Sequence, residues 1–144
     1  MNFEKDVQKA RIFLKELGEQ LGVDERKADR MLRAVLRVLR RRISPQEYLD
    51  FIAQLPICIK AEAINGWTLN EFPDKSIKKV EDFVKAVMEE DRQAAQKDFG
   101  EDLEEAKEKI RKIFAFLKKH ISEGEIKDVE AELPEAIKEF IEGA

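Results

Sequence analysis

Five carboxylates in the second half of the chain have the spacing of a cation site. Glu104, Glu105 and Glu108 read Glu-Glu-x-x-Glu, and Glu125 and Asp128 read Glu-x-x-Asp. Residues three or four apart lie side by side on a helix, so each motif presents its oxygens together. Magnesium binds through one or two carboxylates while keeping several waters, so the set is a candidate site for metal-assisted hydrolysis. The plainer reading is a solvated acidic surface. Asp and Glu make up 31 of 144 residues, so chance alignments are frequent, and Glu125 also stands where a helix cap needs it.

A second set is cationic. Arg26, Arg30, Arg33, Arg37, Arg40 and Arg41 recur at helical spacing, and their mean direction lies opposite an apolar stripe. Guanidinium forks match phosphate and carboxylate oxygens, so six of them facing outward form a candidate surface for an anionic partner. The competing reading is a solvated face paired with acids of neighbouring helices. No aromatics interleave and the net charge is −4, which argues against nucleic acid. Trp67 and Phe72 could line a pocket in the segment between the two halves, although a Trp after a Gly stop more often plugs a helix end.

Several chemistries are excluded by composition. His120 is the single histidine and Cys58 the single cysteine, too few for a zinc site or a di-iron bundle. Ser44, Ser76 and Ser122 all fall at helix starts, where capping explains them. Cys58 lies in an apolar run and reads as an inert core thiol. His120 ends a helix, where it can serve the last carbonyls or the dipole.

The elements that carry these residues are helices. Hydrophobic residues are 43% and charged residues 40%, with few Gly and Pro, a balance that favours amphipathic helices over strands. Phe3, Val7, Ala10, Leu14, Leu17 and Leu21 mark the buried face of a first helix, which Gly22 ends. Ala28, Met31, Leu32, Val35 and Leu39 mark the second. Ser44 and Glu47 form a capping box, with Pro45 at the first helical position and Ile43 and Tyr48 as a hydrophobic staple. Ser76 is the expected cap of a helix bearing Ile77, Val80, Phe83, Val84, Val87 and Met88, and Gly100 the expected break after it. Leu103, Ala106, Ile110, Ile113, Phe114 and Leu117 mark the next stripe.

Two stretches repeat each other. Ile43–Pro56 (ISPQEYLDFIAQLP) and Ile121–Pro134 (ISEGEIKDVEAELP) align without a gap, 78 positions apart throughout, and Ser122 with Glu125 rebuilds the capping box. The expected architecture is all-α: a compact bundle of about eight helices built from two similar repeats. Repeat one covers about 3–67, a linker 68–75 and repeat two about 76–144, each reading long, long, short, short. The short helices of the first repeat are the more apolar, so deeper burial or a partner is expected there.

Ala34–Pro56 resembles the signature of the prokaryotic family known as domain of unknown function 2267. Asn65-Gly66-Trp67 is similar to that family's Gly-Trp after the fourth helix, and Ile113–Pro134 to its C-terminal half. The resemblance implies an all-helical, internally duplicated domain with no assigned activity, and it brings no catalytic residues. The chain departs from the pattern where Leu49, Ile52 and Ile57 are answered by Lys127, Glu130 and Glu135.

The carboxylate spacing also resembles the magnesium-binding pattern of all-helical nucleoside triphosphate pyrophosphatases. The leading expectation is a non-enzymatic, soluble binding domain needing no cofactor. Its partner is a protein or a second copy, met by the arginine face or by the apolar short helices. The alternative is a magnesium-dependent pyrophosphatase-like hydrolase using the five carboxylates. A charged start, a lone thiol and no membrane-length apolar run point to the cytoplasm. Abundant Lys, Glu and Arg point to a thermophilic source.

Overall fold

The computed structural model describes residues 1–144. In chain order the helices are α1 (Phe3–Leu21), α2 (Glu25–Leu39), α3 (Pro45–Ile52), α4 (Ile57–Ile64), α5 (Val80–Asp91), α6 (Ala95–Phe99), α7 (Leu103–His120), α8 (Glu123–Ala131) and α9 (Glu135–Glu142). Short 3₁₀ turns lie at Leu69–Glu71 and Arg92–Ala94, and there are no strands. Eight helices therefore have eight residues or more, and α6 is a five-residue addition.

Local chemistry sets most of the starts. The side chains of Asn2, Asp24, Ser44, Asp102 and Ser122 accept from the backbone N–H three residues on, satisfying an amide that the helix itself leaves unpaired. Gly22, at φ 72°, ends α1 and donates its N–H to Gly18 O. One expected cap differs. Ser76 bonds Asp74 instead, and α5 begins at Val80, where Asp82 accepts from the N–H groups of Lys78 and Lys79. Ile77 is still buried, ahead of the helix rather than in it.

The core is one contiguous cluster of 38 buried residues running from α1 to α9. The central element is α2, which packs on α1, α4, α5, α6 and α7. Its burial extends beyond the expected stripe to Ala34, Leu36 and Val38, because neighbours close on it from several sides. In α1 the buried set is Ala10, Phe13, Leu17, Gly18 and Leu21. Phe3 and Val7 share the expected face yet are 73% and 49% exposed, since the first two turns run past the core.

Aromatic rings join the second half. Phe83 on α5 meets Phe114 on α7 at 5.9 Å between centroids, and Phe114 meets Phe140 on α9 at 6.4 Å. His120 lies against Phe13 and Phe116, with centroids 4.8 and 4.5 Å away, rather than serving only the helix end.

A Cβ built on Gly18 would sit 2.6 Å from the carbonyl oxygen of Val23, a backbone atom that cannot swing aside. Helix propensity alone would favour alanine there by about 1 kcal/mol. The clash reverses the sign, and Gly18→Ala is expected to destabilise the fold by about 2 kcal/mol. A urea midpoint equal to or above that of the parent chain would show that α1 and the Val23 turn can part at little cost.

Candidate functional site: an arginine cleft and three carboxyl pairs

The six arginines do not form one outward face. Arg26 is exposed on the first turn of α2. Arg30 holds the fully buried Asp98 of α6 through two hydrogen bonds, Nε to Oδ2 at 3.1 Å and Nη2 to Oδ1 at 2.9 Å. Arg40 is 6% exposed. Its Nε donates to Glu71 at 2.7 Å, and its Nη1 donates to the carbonyls of Ala63 and Asn65 at 3.1 and 2.9 Å. Arg41 pairs with Asp74 at 3.8 Å. Arg40 and Arg41 are thus drawn inward, because the segment after α4 folds back over the end of α2 and the last carbonyls of α4 need a donor.

Arg33 and Arg37 remain available. Arg33 makes no ion pair, and the one ion pair of Arg37 is with Glu90 at 4.0 Å. Arg37 Nε is buried with no acceptor. Burial, with Arg33 and Arg40 nearby, holds this guanidinium below its usual pKa. Arg30, Arg33 and Arg37 line a cleft of about 260 Å³ with Arg92, Glu90 and Asp91, and Ala34 is its single apolar residue. Arg92 supplies the opposite wall from the break between α5 and α6. Its φ of 56° and ψ of −125° lie where residues with a Cβ are rarely found, a kind of strain that clusters at functional positions.

Arg92 escaped sequence reasoning, which put the break at Gly100. The available signal was the loss of apolar periodicity after Met88.

Two carboxyl pairs act on the cleft arginines. Asp91, which lines the cleft, neighbours Asp98, and Glu62 of α4 neighbours Asp29 of α2 and acts on Arg33 and Arg37. Asp91 Oδ2 and Asp29 Oδ1 are buried with no donor, an arrangement that a proton shared between two carboxyls satisfies. Burial first, then the partner carboxyl, pushes Asp91 up to about 7 and Glu62 up to about 8. Burial opposes ionisation of Asp98 too, but the Arg30 and Asp91 hydrogen bonds outweigh it and hold that carboxyl below its ordinary range.

The five carboxylates of the metal reading do not converge. Glu104 is exposed, Glu105 lies 3.6 Å from Lys109 and Glu108 lies 3.1 Å from Arg111, all on α7. Glu125 and Asp128 are on α8, which turns away to pack against α3. There Glu125 meets Glu47 and Asp50, with oxygens from all three within 4.8 Å of one another. Oε2 of Glu47 and Oε2 of Glu125 are both buried without a donor. Burial, then Glu47, pushes Glu125 up to about 8, so this trio is a third proton-sharing cluster.

The docking of α3 on α8 also rewrites both capping boxes. Ser44 N–H donates to Glu132 at 2.6 Å rather than to Glu47, and Ser122 N–H donates to Gln54 at 2.7 Å rather than to Glu125. Each corner is finished by the other.

Asp91, Glu62 and Glu125 keep protons in the folded chain that the unfolded chain releases near ordinary values of 3.8 to 4.5. Their contribution to stability is full below that range and is lost as pH rises through 7 to 8. The melting temperature is expected to fall between pH 6 and pH 9. Glu125→Gln, which fixes the neutral state, is expected to lessen that fall. A melting temperature that is flat or rising over this interval would mean the carboxyls are not sharing protons.

Two other surfaces stand out. Met1, Phe3, Val7, Ile57, Cys58 and Ala61 border a shallow apolar groove of about 220 Å³ between α1 and α4. Ile57 and Ile64 remain 45% and 44% exposed, so α4 is less covered than its composition suggests. Trp67 packs edge-on against Tyr48 at 5.3 Å, the plug role, and Cys58 is half-buried at the groove rather than in the core. No helix is long and apolar enough to cross a membrane.

The fold and its site define an all-α bundle carrying an arginine-lined cleft and paired carboxyl groups. The chain belongs to the DUF2267 family, described as an uncharacterized conserved protein, whose model matches residues 10–140. No curated protein matches it.

Proposed function

We propose that the chain is a non-enzymatic cytoplasmic binding domain that meets an acidic protein partner through the Arg30–Arg33–Arg37–Arg92 cleft. The observation that carries this reading is the imbalance of pairing. Arg40 is committed to the fold by three hydrogen bonds, whereas Arg33 and Arg92 make no ion pair, and Arg37 has one contact at 4.0 Å. Arg37 Nε is buried without an acceptor, a state that is costly to leave so, and an incoming oxyanion relieves that cost.

Internal duplication belongs to the same proposal. At an offset of 78 residues, the starts of α2, α3 and α4 fall on those of α7, α8 and α9. Arg40 binds the carbonyls of Ala63 and Asn65 at the end of α4, and Lys118, its counterpart by offset, binds those of Ile141, Glu142 and Ala144 at the end of α9, at 3.1 to 3.2 Å. The counterpart of the unbroken α1 is α5 plus α6, interrupted at Arg92. On this reading the cleft arose where one copy of the first helix broke.

The test is a titration of the labelled protein with polyglutamate, read by amide shifts. The expected result is a saturable, salt-sensitive set of shifts centred on Ala34, Arg37 and Arg92, abolished in Arg33→Glu/Arg37→Glu. Shifts scattered over the surface, or unaffected by that double change, would refute the reading.

A further inference from the structure

We propose that the cleft takes a compact, doubly charged oxyanion of the phosphate class, and that the pairs Asp91–Asp98 and Glu62–Asp29 compete with it for the same guanidinium groups. The inference rests on the binding role proposed above and names its ligand and its control.

The lining decides the ligand class. Ala34 is the single apolar residue in it, so no wall is present to hold an aromatic or aliphatic body. Arg30, Arg33 and Arg37 stand one turn apart on α2, roughly 5 to 6 Å between neighbouring Cβ atoms. Arg92 closes the set from the opposite side. Arg30 is held to Asp98, so Arg33, Arg37 and Arg92 are the donors left around this small polar space, and they suit an ion that offers oxygens in every direction, which a tetrahedral oxyanion does. A carboxylate offers two oxygens in one plane, so an acidic segment engages the same donors less fully than a phosphoryl group does.

The control follows from what surrounds the arginines. Asp91 is faced by Arg30 and Arg33 from α2, by Asp98 from α6, and by Glu90 and Arg92 beside it in the chain. Lys27 from α2 acts on Asp98, and Lys109 from α7 donates to the Asp98 carbonyl at 3.2 Å. Glu62 is faced by Asp29, Arg33 and Arg37 from α2. While each pair shares a proton it carries one negative charge instead of two, and Glu90 is the other acid in the lining. Once both protons leave, two further negative charges sit beside those guanidinium groups and take the place of an outside anion. Both groups titrate between neutral and mildly alkaline pH, so the cleft is open to oxyanions on the acid side and occupied by its own carboxylates on the alkaline side.

Calorimetric titration with inorganic sulfate tests this cleanly, because sulfate keeps its charge over the whole interval. A phosphoserine peptide and the same peptide with Glu in place of phosphoserine separate a free ion from a protein-borne phosphoryl group. The expected result is sulfate binding at pH 6 that weakens by about tenfold or more at pH 9, with Asp91→Asn/Glu62→Gln binding equally at both. Tighter binding of the phosphoserine peptide than of sulfate would identify a phosphorylated protein as the source, and equal binding a free ion, both in support. Equal sulfate affinity at the two pH values, or a double variant that keeps the parental pH dependence, overturns the competition. Binding of the Glu peptide without sulfate or phosphoserine binding overturns the ligand class while leaving the proposed function standing. No binding of any of the three at pH 6 overturns both.

Discussion

Arg40→Ala is expected to lower the unfolding free energy by about 3 to 4 kcal/mol, with the melting temperature falling by roughly 10 °C. The guanidinium is 6% exposed and engages three partners at once. Removing it strands the Glu71 carboxylate and takes a donor from two carbonyls at the end of α4. The loss therefore exceeds that of a surface ion pair, which is worth about 0 to 1 kcal/mol. Arg40→Lys keeps the charge but replaces the fork with a single ammonium, and about half the loss is expected to remain. Urea unfolding of both variants measures this directly. A change under about 1 kcal/mol for Arg40→Ala would mean that Tyr48, whose hydroxyl also donates to Ala63 O at 2.8 Å, suffices to hold the end of α4.

Phe114→Ala is expected to cost about 4 kcal/mol, the range for a large ring lost from a packed interior. Phe114 is 3% exposed and is the middle ring of three, touching Phe83 on α5 and Phe140 on α9. The cavity opens where α9 docks, so protection of the α9 amides against hydrogen exchange is expected to fall first. Uniform loss of protection along the chain would show instead that α9 is held by Ile137 and Ile141 independently of the ring. Phe114→Leu, which refills most of the volume, is expected to recover about half the loss.

What could be read from the residues, and what could not, divides by range. The helix starts at Ser44 and Ser122 were legible because a cap is decided within four residues. The helices beginning at Glu25 and Leu103 were legible from apolar spacing alone. The second half of each capping box was not. Glu47 and Glu125 are placed to accept from their own serines, but Glu132 and Gln54 arrive from across the bundle and do so instead. No local pattern announces that exchange.

The burial of Arg40 was hidden for the same reason, since its partners lie 23 to 31 residues further on. Phe3 and Val7 show the converse. Their period is right, but a period says which face a residue is on and not whether anything covers that face. In the candidate site, Arg30, Arg33 and Arg37 were legible as a set, while Arg92 joined it only through a break whose position depends on long-range packing.

The crossed hydrogen bonds between the two serine corners have a thermodynamic meaning. Each half of the chain borrows an acceptor for its first short helix from the other, and pulling the halves apart would leave two amides dangling. The seam between them is thus a joint rather than a hinge, and the two halves are expected to melt in one transition.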